Sequence, residues 1–503
     1  MQASVRAVET RQVPTADAAF NCEPPDPGST ARREAKADIR RVPSRVIELV
    51  GIAAGIGVVA VVALSNQLSN DVFWQIASGQ WMLAHHAVMG LDPFSYTEAH
   101  RRWVTDEWGS SVALAGLSKV VGSAAYPLYA IVLGGLCLVV TSAYARALGA
   151  RGGRVAAIVV LLAMGISGVL AGDRGLDFSL VWVPLELLLL TKARRDPRWL
   201  WCLPLLCAVW VNTHGSILIG LIVLGVELGW SLVPERIVGR IGGVRQSSHT
   251  GPLALALVGS LVASCLTPYG PGLLTYDIGV SMNGQIGQYI AEWNSPNFHS
   301  LMVVLAYCVP LAVMVAVVRT KRIPVLEGTL AAGLFVEALR TQRLAVYLMV
   351  VAAGLAATLP ARPAWGATAR RVAVAFYAVL AIALIAQPTV PAGSVSPTLP
   401  VQAFNYLETH PGRIFTEYTW GDYSIARHRA TFVDGRTDLF EGRVLSEFFA
   451  ITNTTINPDP VLSAYNVSYV VWAPKTSLSV FLSHDPRWQV VDRSSVALVF
   501  ARR

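Results

Sequence analysis

Residues 46–65, VIELVGIAAGIGVVAVVALS, decide what kind of chain this is. Glu48 is the one charge in a run long enough to cross the hydrocarbon core of a bilayer as a helix. Arg32, Arg33, Lys36, Arg40, Arg41 and Arg45 stand just ahead of it, which predicts a cytoplasmic N-terminus. Residues 1–44 are rich in proline, alanine and charge and have no apolar period. They are expected to be a disordered, basic cytoplasmic tail.

Outward from this first span, similar runs recur at 124–145, 155–171, 178–191, 199–212, 216–233, 251–267, 300–318, 324–339, 343–359 and 371–387. They predict an α-helical polytopic membrane protein with about eleven transmembrane helices. Composition agrees: 53% of residues are hydrophobic, only 14% are charged, and mean hydropathy is +0.49. A water-soluble domain would carry roughly a quarter of charged residues. The net charge of +8 is not a nucleic-acid signal, because most of the surplus lies in short connections between apolar runs. Arg146, Arg151 and Arg154 fall in one such loop, Lys192, Arg194, Arg195 and Arg198 in the next, and Arg319, Lys321 and Arg322 in another. Residues 267–300, on the other side, contain no Lys or Arg. That alternation predicts a multi-pass membrane protein with its N-terminus inside and its C-terminal segment outside. The cysteines form no CxxC pair or metal-ligand spacing.

The chain therefore divides into the tail, a membrane domain at 45–388 with a long first outer loop at 66–110, a Pro-rich linker at 389–400, and a segment at 401–503. The last segment alternates helical and strand-like pieces, with helices at 401–410 and 444–451 and strands at 413–417, 431–434, 467–472, 488–492 and 496–501. It reads as a small extracytoplasmic α/β domain. Gly421 in WGDYSI and Gly435 in VDGR suggest tight turns there, and Asp434–Arg436 a local pair.

Polar residues gather at the predicted outer face. The first loop holds Asp71, Asp92, Asp106 and Glu107, and its stretch from Trp74 to Leu83 suits a helix in the membrane interface. Later outer turns add Asp173, Arg174 and Asp177; Asn212 and His214; Glu292; and Glu337, Arg340 and Arg343. Ionisable groups so close to apolar boundaries are costly and usually line a functional cavity. Ordinary solvated turns are the alternative for any one cluster.

These motifs resemble the GT-C superfamily of integral-membrane glycosyltransferases, and most of all its bacterial RgtA/B/C/D-like and dolichyl-phosphate-mannose mannosyltransferase-like branch. The shared features are an acidic residue directly after the first span, a long outer loop, many spans and an external C-terminal domain. A group of bacterial polytopic proteins without an assigned reaction looks nearer still. Its pattern resembles DVFWQIASGQWML (71–83), LDPFSYT (91–97), TDEW (105–108), NTHGS (212–216), TPYG (267–270), EWNSP (292–296), WGDYSI (420–425) and VDGRTDLF (433–440).

The resemblance implies an inverting transfer of sugar from a polyprenyl-phosphate donor to an envelope glycan, lipid or protein. It makes Asp71 the catalytic base, with Val72 standing where the family often has a second acid. Partial desolvation would raise the pKa of such a base toward a useful value, although Asp71 could instead cap the loop helix. For phosphate, Arg174 offers bidentate donors, shared with Arg340 and Arg343; Arg174 could equally pair with Asp173 or Asp177. Asn212, His214 and Glu292 are further substrate-binding candidates. Asp92, Asp106 and Glu107 could bind sugar hydroxyls or a divalent cation, and spacing leaves metal dependence open. Membrane lipids are expected partners; no protein partner is specified. Two other readings stand beside this one. A transporter or flippase should show internal repeats and midplane polar residues; a scaffold would tolerate loss of Asp71 and Arg174.

Overall fold

The first span forms as helix α1, Ser44–Ser65, followed in the first loop by α2, Val72–His85, and α3, Trp108–Val121. The structure is a computed structural model and describes residues 43–68, 71–170, 175–245, 249–284, 287, 290–360, 391 and 394–503. The bundle continues through α4 (Ala125–Ala147), α5 (Gly153–Leu170), α6 (Leu176–Ala193), α7 (Cys202–Trp210) and α8 (Ile217–Leu232). It goes on through α9 (Glu235–Arg240), α10 (Thr250–Ala263), α11 (Gly272–Ser281), α12 (Leu301–Arg319), α13 (Val325–Arg340) and α14 (Ala345–Thr358). A helix therefore stands at each expected span up to 343–359. The expected span at 371–387, residues 1–42 of the expected tail, and residues 389–390 and 392–393 of the linker lie outside the described residues.

Three helical stretches among the described residues are long and apolar enough to cross a membrane: Ser44–Ser65, Trp108–Ala147 and Gly153–Leu170. The second contains 40 residues because α3 runs into α4 through one 3-10 turn, Gly122–Ala124. Gly122 adopts φ +61°, a left-handed value that ends α3 and lets the axis turn. Nothing in the sequence marks α3 off from the span that follows it, since WGSSVALAGLSKVV is nearly as apolar. Many large apolar side chains on the bundle point outward, among them Leu49, Val50, Leu205, Leu232, Leu255, Val258 and Val262. Helices apolar on the outside as well as the inside suit a hydrocarbon solvent. This is a helical membrane protein.

A short parallel pair, β1 (Gly243–Val244) with β2 (Ile323–Pro324), clips two connections of the bundle together. The C-terminal part is a small α/β layer. Helices α15 (Val401–Glu408), α16 (Tyr418–Ala426), α17 (Arg443–Thr452), α18 (Pro458–Ala464) and α19 (Ser477–His484) accompany β3 (Arg413–Thr416), β4 (Val467–Trp472), β5 (Trp488–Arg493) and β6 (Leu498–Arg502). Sheet order is β3-β4-β6-β5, with β3 parallel to β4 and the other pairs antiparallel. Phe415, Phe432, Phe448 and Trp472 fill its core, the first two with ring centroids 4.9 Å apart.

That core is not closed by the C-terminal residues alone. Trp74, Met82, Met89 and Trp103 of the first loop belong to it, and residues 44–503 form one compact unit. The predicted strand at 431–434 is instead a single bridge, Ser95 to Thr431, made with the loop. Thr431 N donates to Phe94 O at 3.0 Å and Tyr96 N to Thr431 O at 3.1 Å. Tyr96 Oη donates to Ile414 O at 2.7 Å, and Thr97 Oγ1 to Phe432 O at 2.6 Å. LDPFSYT is thus the seam between the loop and the C-terminal sheet.

Candidate functional site

The ends of α1, α5, α7, α10 and α13 and the starts of α3, α6, α8 and α14 bring the acidic and basic turns to one end of the bundle. Asp71 is the residue that starts α2; its Oδ1 accepts from Trp74 Nε1 at 3.3 Å. It makes no side-chain cap hydrogen bond to the helix, so capping does not account for it. Across from it lies Gly435 of VDGR: a Cβ added there would sit 2.8 Å from Asp71 Oδ1 and 2.8 Å from Asp422 Oδ2.

A second group surrounds His214. The Ser216 backbone N–H donates to His214 Nδ1 at 3.0 Å, so in the neutral ring the proton is on Nε2. That Nε2 faces Glu107 Oε1 at 3.1 Å. Glu107 also accepts from Gln75 Nε2 on α2. Arg343 Nη2 is 3.4 Å from the same His214 nitrogen, and Arg343 Nη1 reaches Glu292 Oε1 at 3.0 Å. The guanidinium also lies over the Trp293 ring, 5.2 Å from its centroid. Glu107, His214, Arg343 and Glu292, from four separate turns, thus make a continuous chain of polar contacts.

Beside it is an acidic pocket. A Cβ on Gly215 would lie 2.9 Å from both Asp106 Oδ2 and Asp277 Oδ1, so only glycine leaves room for the two carboxylates. Burial, then Glu107, Asp277 and Asp438, push the Asp106 carboxyl well above its ordinary range, while Arg343 opposes them. Asp277 is pushed up to about 8 by burial and then by Glu107. Asp438 accepts from Trp103 Nε1 at 3.1 Å and from Tyr276 Oη, and burial raises its pKa as well.

The other sequence candidates are placed differently. Asp92 is wholly buried and holds Arg436 Nη1 at 2.7 Å while accepting the Phe94 and Ser95 N–H groups; it fastens the seam and does not face the pocket. Asn212 accepts from Trp108 Nε1 at 2.9 Å and donates to the Ala208 and Leu266 carbonyls, which packs the turn. Arg340 is largely exposed and pairs outward with Glu337 at 3.4 Å. α13 ends at Arg340, because Thr341 is extended (φ −137°), and this turns Arg343 inward while Arg340 stays outside. Asp173 and Arg174 lie outside the described residues. Among the described residues, no group of three or more His, Cys, Asp or Glu side chains could hold a metal ion.

Asp277, Asp438 and Asp422 were not among the sequence candidates. Asp422 was signalled by its place in WGDYSI. Its neighbour Gly421 is no turn but a helical residue of α16, where a Cβ would run into the Val433 carbonyl oxygen.

No protein-family model matches the chain, and no curated protein sequence does. Solved structures match it. The archaeal oligosaccharyltransferase AglB from Archaeoglobus fulgidus, in complex with an inhibitory peptide and a dolichol-phosphate, is 12% identical, with TM-score 0.58 over 84% of this chain and 69% of its own. The apo form of that oligosaccharyltransferase gives TM-score 0.60 at 11% identity over the same shares, 84% and 69%. ArnT from Cupriavidus metallidurans, bound to undecaprenyl phosphate, is 14% identical with TM-score 0.54, covering 90% of this chain and 97% of its own. Both are GT-C superfamily glycosyltransferases, and this chain has their fold.

Proposed function

We propose that the protein is an inverting glycosyltransferase that moves a sugar from a polyprenyl-phosphate donor to an envelope acceptor at the outer face of a bacterial plasma membrane. The observation that carries this reading is the position of Asp71. In a GT-C fold it opens the first loop directly after α1, at the head of α2, whose Gln75 donates to Glu107 at the start of the polar chain that runs through His214 to Arg343. The polyprenyl phosphates bound to AglB and ArnT support the donor class. Asp71 would take the acceptor proton. Arg343, with Arg174 as the sequence suggests, would stabilise the phosphate leaving group as charge builds on it. Glu292 holds Arg343 for that task, and His214 Nε2 contacts Glu107.

The reading includes the topology drawn from loop charge: about eleven spans, a cytoplasmic N-terminus, the boundaries 45–388 and 401–503, and the C-terminal sheet outside. A reporter fused after Arg503 should be active only outside the cytoplasm, and cytoplasmic activity overturns the threading. For the reaction, Asp71→Asn in a strain with profiled envelope glycans should remove one glycan species at normal protein level. A profile unchanged in both this variant and a full deletion refutes the transferase.

A further inference from the structure

Gly215 lets two carboxylates from distant parts of the chain face one space. A Cβ on it would lie 2.9 Å from Asp106 Oδ2, of the first loop, and 2.9 Å from Asp277 Oδ1, on α11. Asp277 is 5% exposed, and its Oδ2 has no hydrogen-bond partner among the described residues. Asp438, from the C-terminal part, stands near enough to repel Asp106, and Trp103 Nε1 and Tyr276 Oη donate to its Oδ2. Asp106, Gly215, Tyr276 and Asp438 each keep part of their surface open, so the group walls a cavity and is not packed shut.

Three acids from three segments meet little positive charge there. The cation that faces Asp106 is Arg343, which is held by Glu292 at 3.0 Å and lies beside His214. The cation that acts on Asp438 is Arg436, which is occupied by Asp434 and Asp92. None acts on Asp277 among the described residues, where Glu107, Tyr269 and Tyr276 are the other titratable groups facing these acids. Left empty, such a pocket avoids buried like charges by keeping protons. A ligand that brings its own charge and several donors can replace them. An ammonium group has three N–H donors and makes charged N–H···O bonds of about 2.7–2.9 Å. A divalent cation needs several oxygens at about 2.0–2.6 Å from one point, and no such group of acids occurs among the described residues.

We propose that Asp106, Asp277 and Asp438 form a subsite for a primary ammonium group carried by a substrate. The ammonium donates to Asp277 and Asp106 across the space that Gly215 leaves open, and the proton held in the empty pocket leaves to solvent. Gly215 directly follows His214, whose Nε2 lies beside Arg343. A substrate that carries both phosphate and ammonium is therefore held in one direction, its phosphate toward Arg343 and its ammonium in the acidic pocket. That the ligand is a sugar donor or its acceptor rests on the transferase reading; ammonium binding itself does not.

The test is isothermal titration calorimetry of the full-length protein in an uncharged detergent, with two probe amines, each run against a neutral counterpart. Glucosamine against glucose reports an ammonium on a sugar, and ethanolamine against ethylene glycol reports one on an acceptor headgroup. At least one amine should bind where its counterpart does not, and the one that binds assigns the source; binding of both means that the pocket reads the ammonium alone. Binding should release a proton, seen as a heat that depends on the buffer, and should tighten about tenfold from about pH 6 to about pH 7. Asp277→Asn should weaken it about tenfold or more. Gly215→Ala, which fills the space, should do the same, and the melting temperature of each variant checks its fold. The subsite is overturned if neither amine binds better than its counterpart, if no proton is released, or if Asp277→Asn and Gly215→Ala bind as the wild type does. Envelope glycans unchanged by Asp71→Asn and by full deletion would refute the transferase and leave the calorimetry standing, so the two failures are separable.

Discussion

Arg436 Nη1 donates to Asp92 Oδ1 at 2.7 Å across 344 residues of sequence, and both side chains are completely buried. The same guanidinium binds Asp434 through Nε and Nη2, and it lies over the Trp103 ring at 4.7 Å. One cation therefore sits between two anions in an aromatic box that joins the first loop to the C-terminal sheet. Removing it strands both carboxylates. Arg436→Met should cost about 3–5 kcal/mol, the usual penalty for breaking a buried pair from one side. Thermal unfolding in detergent should show the loss, and protease should cut the C-terminal segment sooner. A variant that melts with the wild type would mean the triad is not the clamp.

Gly435 should be sensitive for a different reason. No left-handed φ is needed there, so alanine is sterically acceptable to the backbone itself, and the added methyl meets Asp71 and Asp422 first. Gly435→Ala is expected to cost about 1–3 kcal/mol of stability through overpacking. Transfer should fall, read as loss of the affected glycan at normal protein level. Wild-type glycans in a well-folded Gly435→Ala protein would count against a site at this seam.

These two residues also mark where sequence reading succeeded and where it stopped. The helices at 46–65 through 343–359 were legible because apolarity over a bilayer's thickness is a local property of the chain. Asp71 and Glu107 stand out in the sequence because each precedes a helix next to an apolar run, and the structure places each at the head of one. Arg340 was grouped with Arg343 on helical spacing, but the extended Thr341 ends α13 and separates them. Asp422 comes near Asp71 through the packing of α16 on α2, and the ion pair of Asp92 with Arg436, 344 residues away, leaves no mark in the sequence that makes Asp92 a candidate for sugar hydroxyls or a divalent cation. Contacts of that kind come from docking the C-terminal sheet, which no local pattern encodes.

His214 makes a prediction that separates hydrogen bonding from charge. Its Nδ1 accepts the Ser216 N–H and its Nε2 faces Glu107, so a neutral ring satisfies both neighbours. His214→Phe keeps the ring volume and removes both bonds. It should cost about 1–3 kcal/mol, from a buried carboxylate that loses a donor and an N–H that loses its acceptor. His214→Gln can still donate to Glu107 and should recover part of that loss in thermal unfolding. Equal destabilisation by the two substitutions would show that packing, and not the Glu107 contact, explains the residue.

Asp277 ties the acidic pocket to pH. Burial and the Glu107 charge push its carboxyl up to about 8 from an ordinary 3.8. Between those values the folded protein keeps a proton that the unfolded chain has released. The folded state then binds more protons, and stability must fall as pH rises through that window. Asp106 and Asp438 are raised in the same direction and add to the slope. Asp277→Asn removes one titrating group without changing its shape. It should therefore gain stability over the wild type progressively from about pH 4 to about pH 8, and level off above that. Melting temperatures measured across this range in one detergent give the comparison. Parallel curves for the two proteins would show that Asp277 is ionised in the fold and would overturn its part in the pH dependence.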